Sequence, residues 1–221
     1  MTRAMALRFL APVILLLAAP AAAQRAPGTT RVRLVTSLGA ITLALDARRA
    51  PRTTANFLAY VDDGRFDGTT FYRAARRTTD PRRGFVQAGI RTDARRALPP
   101  IRLEPTNRTG LLHLDATVSM ARGENPDSAM GNFILTVGAV PSLDARDPRP
   151  GYAAFGKVVG GMDVVRQILA LPSGGGSGAM RGQMILRPVR LIRAERLDGT
   201  PRPTGRIKTW LLWDRLDGRR P

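Results

Sequence analysis

The feature that most constrains the fold is a succession of short apolar segments, each interrupted by turn residues before it reaches the length of a typical helix. Alternating or β-branched patterns of this kind occur at residues 31–36, 41–45, 70–74, 85–89, 117–121, 133–137, 153–158 and 184–192. Short runs bounded by Gly, Pro, Asp and Asn are typical of β-strands. The chain is therefore predicted to be mainly β.

Two longer segments carry the period of a helix instead. The apolar face of the first, which begins near Pro51, consists of Thr54, Phe57, Leu58 and Val61. The apolar face of the second, at 161–171, consists of Val164, Val165, Ile168 and Leu169. This spacing places each set on one side of a helix. Many short strands with two separated helices predict a closed antiparallel barrel capped by two helices. The glycine-rich residues 173–178 are predicted to form a flexible loop.

The N-terminus has the three parts of a secretory signal peptide. Arg3 and Arg8 make it basic, residues 9–19 are apolar and uncharged, and residues 21–23 are alanines of the kind that precede a cleavage site. The alternative is a retained membrane anchor, but the apolar run is short for a hydrocarbon core of about 30 Å. We therefore expect a signal peptide at 1–23, cleaved to leave a linker at 24–30.

Composition excludes several kinds of site. The sequence has no cysteine and a single histidine, His113. Disulfides, thiolate metal sites, cysteine nucleophiles and histidine metal clusters are therefore excluded. His113 has no adjacent nucleophile motif and is interpreted as a residue that caps or decorates a turn. We expect neither a metal nor another cofactor.

Positive charge dominates the chain, because 35 Lys and Arg stand against 17 Asp and Glu, for a formal net charge of +18 at pH 7. Nucleic acid binding is one interpretation of such a balance. The arginines are scattered through turns without interleaved aromatic residues, so a solvated basic surface is favoured. We expect no nucleic acid partner, and a weak attraction to anionic envelope surfaces stays open.

Three short blocks follow one another in a fixed order. They are 71–73 (Phe-Tyr-Arg), 84–89 (Gly-Phe-Val-Gln-Ala-Gly), and 119–122 (Ser-Met-Ala-Arg) leading to 127–134 (Asp-Ser-Ala-Met-Gly-Asn-Phe-Ile). In this order they resemble the active face of cyclophilin-type peptidyl-prolyl isomerases. From about Val32 to Arg193 the chain is similar to the bacterial exported members of that family, and the isomerase domain is expected to span residues 31–195. The resemblance implies an eight-stranded barrel, action on proline-containing polypeptides, a periplasmic location and no cofactor; a monomer is expected.

The resemblance also implies roles for individual residues. Arg73 falls on the catalytic arginine, and Gln87 falls on the glutamine that orients it. The residues implied to bind the substrate are Phe85, Ala121, Arg122, Asn132, Ile134, Leu143 and Tyr152. An arginine suits this reaction because it cannot act as a base, yet it can donate a hydrogen bond to the prolyl nitrogen of a twisted amide.

Some positions differ from the usual residues of the family. Gly84 stands where a pocket phenylalanine is usual, Ile134 replaces an aromatic residue, and Ser142 stands where some members carry a tryptophan. Either Phe85 fills the space or the pocket is shallower. Two functional hypotheses follow: an isomerase that assists the folding of exported proteins, and a catalytically weak proline-binding chaperone module of the cell envelope.

Residues 196–221 form a basic C-terminal tail that contains both tryptophans of the chain, Trp210 and Trp213. One interpretation is an anchor to a partner or a membrane. The other is a tail that packs on the barrel, and this second interpretation is favoured.

Overall fold

The computed structural model of the protein describes residues 28–216, with side chains described as far as residue 212. The predicted signal peptide at 1–23 and most of the predicted linker lie outside the described residues. The side chain of Trp213 lies outside them as well.

The described part contains nine strands and four helices. The strands are β1 (Thr29–Thr36), β2 (Gly39–Asp46), β3 (Thr70–Arg76), β4 (Gly84–Gly89), β5 (Thr117–Met120), β6 (Asn132–Val137), β7 (Ala154–Gly160), β8 (Ser173–Gly174) and β9 (Met184–Arg196). The helices are α1 (Pro51–Asp62), α2 (Thr106–Thr109), α3 (Met162–Ala170) and α4 (Thr209–Leu216). The two predicted helices correspond to α1 and α3.

Eight of the strands close into an antiparallel barrel. They follow the order β1-β2-β7-β5-β6-β4-β3-β9, and the pairing of β1 with β9 closes the ring. The two-residue strand β8 pairs only with β9 and stays outside the ring. The prediction of a closed eight-stranded barrel is confirmed. Closure leaves no long unpaired edge among these eight strands.

The inner face of the barrel is apolar, because alternate residues of each strand point inward. Helix α1 adds Phe57, whose ring lies 5.2 Å from that of Phe133 and 5.3 Å from that of Phe155, measured between centroids. The predicted faces of both helices are buried, and Val165 and Ile168 of α3 have no exposed surface. The core is thus one aromatic and aliphatic cluster inside the ring and under the two helices.

The prediction of a flexible loop at 173–178 needs correction. Ser173 and Gly174 form β8, and a 3₁₀ turn follows at Gly178–Met180. The Ser173 hydroxyl accepts a hydrogen bond from Arg76 Nη2 at 2.6 Å and donates one to the carbonyl of Gly182 at 2.9 Å. The segment from residue 173 to residue 183, here called the glycine loop, is therefore held by side-chain and backbone bonds that its composition does not reveal.

The described part of the C-terminal tail lies against the barrel. The Asp63 carboxylate accepts hydrogen bonds from the backbone N–H of Thr204 at 2.7 Å and from its hydroxyl at 2.6 Å. Trp210 is 2% exposed, and its ring lies 4.8 Å from the Arg65 guanidinium and 5.2 Å from that of Arg96. The packed interpretation is confirmed for Trp210, which is not available as an anchor. Within residues 28–216, no helix combines the length and the apolar character needed to cross a bilayer.

Candidate active site

A row of four residues crosses the outer face of the barrel. Arg73 of β3 lies opposite Gln87 of β4, Gln87 lies opposite Ile134 of β6, and Ile134 lies opposite Ser119 of β5. Residues opposite one another in an antiparallel ladder share a face of the sheet. The residues on either side of Gln87, Val86 and Ala88, point into the core. The ladder therefore brings the predicted catalytic pair next to Ile134.

A β-bulge at Tyr72 decides the direction of Arg73. The register between β3 and β4 passes from Phe71, opposite Ala88, to Arg73, opposite Gln87, so Tyr72 is an extra residue. In a regular strand, residues two apart share a face, and Arg73 would point inward with the buried Phe71. The extra residue reverses the alternation. It places the guanidinium on the outer face of the barrel.

The Arg73 guanidinium is held by three acceptors. Nε donates to Gln183 Oε1 at 2.8 Å, Nη1 donates to Gln87 Oε1 at 3.0 Å, and Nη2 donates to the carbonyl of Ala179 at 3.1 Å. Within the described residues these bonds use three of its five N–H groups, so one N–H on each Nη is left for a ligand. Burial lowers the pKa of Arg73 from its ordinary value. The group still stays charged at neutral pH, because that ordinary value lies far above 7.

A hydrogen-bond relay fixes the orientation of Gln87. Its amide Nε2 donates to the Tyr72 hydroxyl at 2.7 Å, and that hydroxyl donates to Asn132 Oδ1 at 3.3 Å. Burial raises the pKa of Tyr72 to about 12, so its hydroxyl keeps its proton. Asn132 is held in turn by the backbone of Arg91, through bonds of 2.7 and 2.8 Å. Because the Gln87 amide faces Tyr72, its carbonyl oxygen must face Arg73.

Two cavities flank the predicted catalytic pair, Arg73 and Gln87. A cavity of about 510 Å³ is lined by four predicted site residues, namely Gln87, Ala121, Arg122 and Asn132, together with Tyr72 and methionines of the glycine loop and β9. A second, of about 290 Å³, is lined by Arg73, Phe85, Ser142 and Gln183 among others. Six of the nine predicted site residues therefore meet at these two cavities.

The other three predicted site residues, Ile134, Leu143 and Tyr152, line neither of these two cavities. Ile134 is 4% exposed and belongs to the row described above. The backbone N–H of Tyr152 donates to the carbonyl of Leu143 at 2.9 Å, and the Tyr152 ring lies 4.7 Å from the Arg122 guanidinium. Tyr152 therefore contacts Arg122, which lines the first cavity, and Leu143 is linked to Arg122 only through its backbone hydrogen bond with Tyr152.

The glycine at position 84 has a physical explanation. Its φ of +142° is one that favours glycine, and a Cβ there would lie 2.0 Å from the carbonyl oxygen of Ala75. A phenylalanine could not occupy this position without movement of the backbone. Phe85 instead lies on the outer face, with its ring 5.1 Å from the Arg73 guanidinium. Of the two alternatives, this geometry favours the one in which Phe85 fills the space.

The sequence did not indicate that Gln183 and Ala179 accept hydrogen bonds from Arg73, or that the Tyr72 hydroxyl accepts one from Gln87. Gln183 reaches Arg73 across 110 positions of the chain, and a single glutamine after a glycine-rich segment carries no signal for such a contact. Tyr72 belongs to a block that resembles the family, yet its hydroxyl bonds depend on the bulge.

The interpretation of His113 as a turn residue is wrong. Its side chain is 1% exposed and lies between Asp144 and Ser119, with Nδ1 2.7 Å from Asp144 Oδ1 and Nε2 2.8 Å from Ser119 Oγ. Burial lowers the pKa of His113. The histidine therefore sits behind the end of the outer row rather than on the surface.

Comparison with known proteins agrees with this geometry. The family model described as cyclophilin type peptidyl-prolyl cis-trans isomerase/CLD matches residues 31–195. The chain belongs to the cyclophilin family of peptidyl-prolyl isomerases. It is 39% identical over 170 residues to peptidyl-prolyl cis-trans isomerase A of Dickeya dadantii, covering 74% of this chain and 85% of the relative. It is 35% identical over 166 residues to a peptidyl-prolyl cis-trans isomerase of Acinetobacter baylyi, covering 75% and 85%.

The fold is shared with more distant cyclophilins of known structure. A cyclophilin type isomerase of Cryptosporidium parvum superposes with a TM-score of 0.62 at 18% identity, covering 78% of this chain and 99% of that one. The predicted family and the predicted class of enzyme, a peptidyl-prolyl cis-trans isomerase, are thus confirmed.

Proposed function

We propose that this cyclophilin isomerises X–Pro bonds at the outer face of β3 and β4, with Arg73 as the catalytic residue. The observation that carries the proposal is the fixed guanidinium, which has three protein acceptors and two remaining N–H groups between two cavities. Such a donor suits a reaction that makes and breaks no covalent bond.

The physical requirement is stabilisation of a twisted amide. Conjugation gives the C–N bond a rotation barrier of roughly 18–20 kcal/mol, and uncatalysed X–Pro exchange takes tens to hundreds of seconds. Twisting breaks the conjugation and returns a lone pair to the prolyl nitrogen. A hydrogen bond from Arg73 to that lone pair strengthens only in the twisted state, so it lowers the barrier rather than merely tightening binding.

The other residues would hold the peptide and the arginine. Gln87 and Gln183 fix the guanidinium, so little reorganisation is needed when the amide twists. The outer row offers Ile134 as an apolar contact for the proline ring, and the cavity beside Ala121 and Arg122 has room for neighbouring residues. A Cryptosporidium parvum cyclophilin was solved in the presence of the dipeptide Ala-Pro, which supports a proline-containing ligand for this chain.

Exchange NMR on a proline tetrapeptide tests the proposal. The wild-type protein should accelerate cis/trans exchange, and Arg73→Ala should lower kcat/KM on the order of 10²–10³-fold, as for loss of one transition-state donor. Arg166→Ala, an exposed arginine of α3, is the matched control and should keep full activity. Wild-type activity in folded Arg73→Ala protein would remove Arg73 from the mechanism. Peptide binding without accelerated exchange would instead support the chaperone hypothesis.

We further propose that the protein is exported to the periplasm and assists the folding of exported proteins there. The support is the signal-peptide pattern at 1–23, with Arg3 and Arg8 before the apolar run. Expression of the full sequence in a Gram-negative host should yield a periplasmic product whose N-terminal residue is Gln24. A cytoplasmic product that retains Met1 would reject this part of the proposal.

The proposed attraction to anionic envelope surfaces is supported by the tail. Ile207, Leu211 and Leu212 are exposed apolar residues, and the exposed Arg202 and Arg206 lie nearby in the sequence. Apolar side chains with basic neighbours suit a negatively charged bilayer surface. The protein should cosediment with phosphatidylglycerol vesicles at low salt and not with phosphatidylcholine vesicles. Equal binding to both would refute an electrostatic attraction.

A further inference from the structure

A buried polar network lies outside the proposed catalytic contacts. Ser119 has no exposed surface, His113 is 1% exposed and Asp144 is 8% exposed. Asp144 Oδ1 lies 2.7 Å from His113 Nδ1 and accepts a second hydrogen bond, of 3.0 Å, from the His113 backbone N–H. Because a carboxylate only accepts, Nδ1 carries the proton. In the neutral ring, Nε2 then accepts a hydrogen bond from the Ser119 hydroxyl at 2.8 Å.

The connectivity is that of a Ser–His–Asp hydrolase triad, but the surroundings do not allow acyl transfer. A nucleophilic serine must reach a substrate carbonyl. Ser119 is enclosed, and it lines neither of the two cavities beside Arg73. The role left for the three residues is to hold the neighbouring parts of the protein in position.

Two of the residues implied to bind the substrate, Ile134 and Leu143, lie beside the network, and the space between them is here called the groove. Ser119 lies opposite Ile134 in the β5–β6 ladder and so belongs to the sheet face under the groove. Asp144 directly follows Leu143, whose carbonyl accepts the backbone N–H of Tyr152. The carbonyl of His113 also accepts the backbone N–H of Val140 at 2.8 Å. His113 therefore bonds to the sheet face on one side and to both ends of residues 140–144 on the other.

We propose that His113 is a positioning residue of the isomerase groove, which holds the segment carrying Leu143 at a fixed distance from the sheet face carrying Ile134. The inference rests on the proposed function, since the groove it adjusts is the peptide-binding groove. If the ring could not form these bonds, the buried Asp144 and Ser119 would lose partners and the segment would shift to regain hydrogen bonds. None of the hydrogen bonds described above joins the network of Ser119, His113 and Asp144 to Arg73, Gln87 or Gln183.

The test separates binding from turnover in the full protein. His113→Phe keeps a flat ring but removes both side-chain bonds, and Ser119→Ala removes one. Exchange NMR with a proline tetrapeptide gives the Kd and the exchange rate on the enzyme. We expect at least a fivefold higher Kd for His113→Phe and a smaller increase for Ser119→Ala. The exchange rate at saturation should stay within about twofold of wild type, since the Arg73 bonds are intact.

Two controls make the outcome decisive. Val32→Ala removes core volume in β1, which lies on the opposite side of the ring from β6, and it should destabilise the protein without changing Kd. An equal Kd for His113→Phe and Val32→Ala would overturn the inference. If His113→Phe does not fold, the inference is tested by the NMR spectrum of the wild-type protein together with the Kd of Ser119→Ala. His113 is the single histidine, so its ring signals are unique, and they should shift when the peptide saturates the protein.

An unshifted ring signal together with an unchanged Kd for Ser119→Ala would also overturn the inference. Failure of the proposed function looks different. A wild-type protein that binds the peptide but does not accelerate exchange would reject the isomerase mechanism, while the Kd differences would still test the role of His113.

Discussion

Gln183→Ala is the change that most directly tests how the protein holds its arginine. Gln183 Oε1 accepts the Nε–H of Arg73 at 2.8 Å, and its truncation leaves the bonds to Gln87 and to the Ala179 carbonyl in place. The guanidinium would then keep two of its three hydrogen-bond acceptors, and rotation about the last side-chain bonds of Arg73 would be less restricted. The change removes no group that touches the peptide in the proposed mechanism.

The magnitude follows from the bonds involved. A hydrogen bond to a charged group contributes roughly 1.5–3 kcal/mol. If the two remaining acceptors recover about half of this, the transition state loses about 0.75–1.5 kcal/mol. A loss of 1.36 kcal/mol corresponds to a tenfold lower rate, so kcat/KM should fall roughly 3–13-fold. The loss should appear in kcat rather than KM, because the guanidinium acts on the twisted amide more than on the planar one.

The assay is exchange NMR or a protease-coupled assay on a proline tetrapeptide, with circular dichroism as the check of folding. Gln183→Glu keeps an acceptor for Nε and should recover most of the activity. Gln167→Ala, an exposed glutamine of α3, is the matched control and should leave kcat/KM unchanged. The reasoning is refuted if Gln183→Ala has the kcat/KM of Gln167→Ala, or if its loss lies wholly in KM.

Three further predictions concern other parts of the molecule. Trp210→Ala should lower the free energy of unfolding in urea by about 3 kcal/mol, since a buried tryptophan is lost, whereas Leu212→Ala on the exposed side should change it little; equal effects would contradict the packed tail. Burial lowers the pKa of His113, so the unfolded chain takes up a proton first and the free energy of unfolding should fall as pH drops below about 6.5. This pH dependence should be absent in His113→Phe, and its persistence there would assign it to other groups. The resemblance implies that the tryptophan that some members carry at position 142 donates its indole N–H to the inhibitor cyclosporin, so cyclosporin should inhibit this protein weakly because Ser142 has no indole. Ser142→Trp should strengthen inhibition, and tight inhibition of the wild type would show the reasoning to be wrong.

The elements of the fold were largely predictable because they depend on local patterns. The helical face of Phe57 and Leu58 and that of Val165 and Ile168 are buried as their spacing indicates. The strand predicted at 184–192 is observed to run to Arg196, since its last residues pair with β1. Strand ends depend on a partner strand, which a local pattern does not contain.

The candidate site was predictable only in part. The resemblance implied that Arg73 and Gln87 act together, and their side chains are 3.0 Å apart. The implied roles of all nine site residues stay predictions, and three of them, Ile134, Leu143 and Tyr152, line neither cavity beside Arg73. A resemblance transfers positions in the chain, whereas the shape of a groove depends on which side chains surround each position.

The sequence by itself determined the eight strands of the barrel, helices α1 and α3, the apolar interior and the order of the blocks, because periodicity and turn residues act between neighbours in the chain. Only the tertiary structure decided the direction of Arg73, through one extra residue at Tyr72. It alone brought Gln183 to that arginine across 110 positions and enclosed His113 between Ser119 and Asp144. The physical reason is that a buried polar group needs a hydrogen-bond partner. Closure of the barrel decides which residues lie close enough to be that partner, whatever their separation in the sequence.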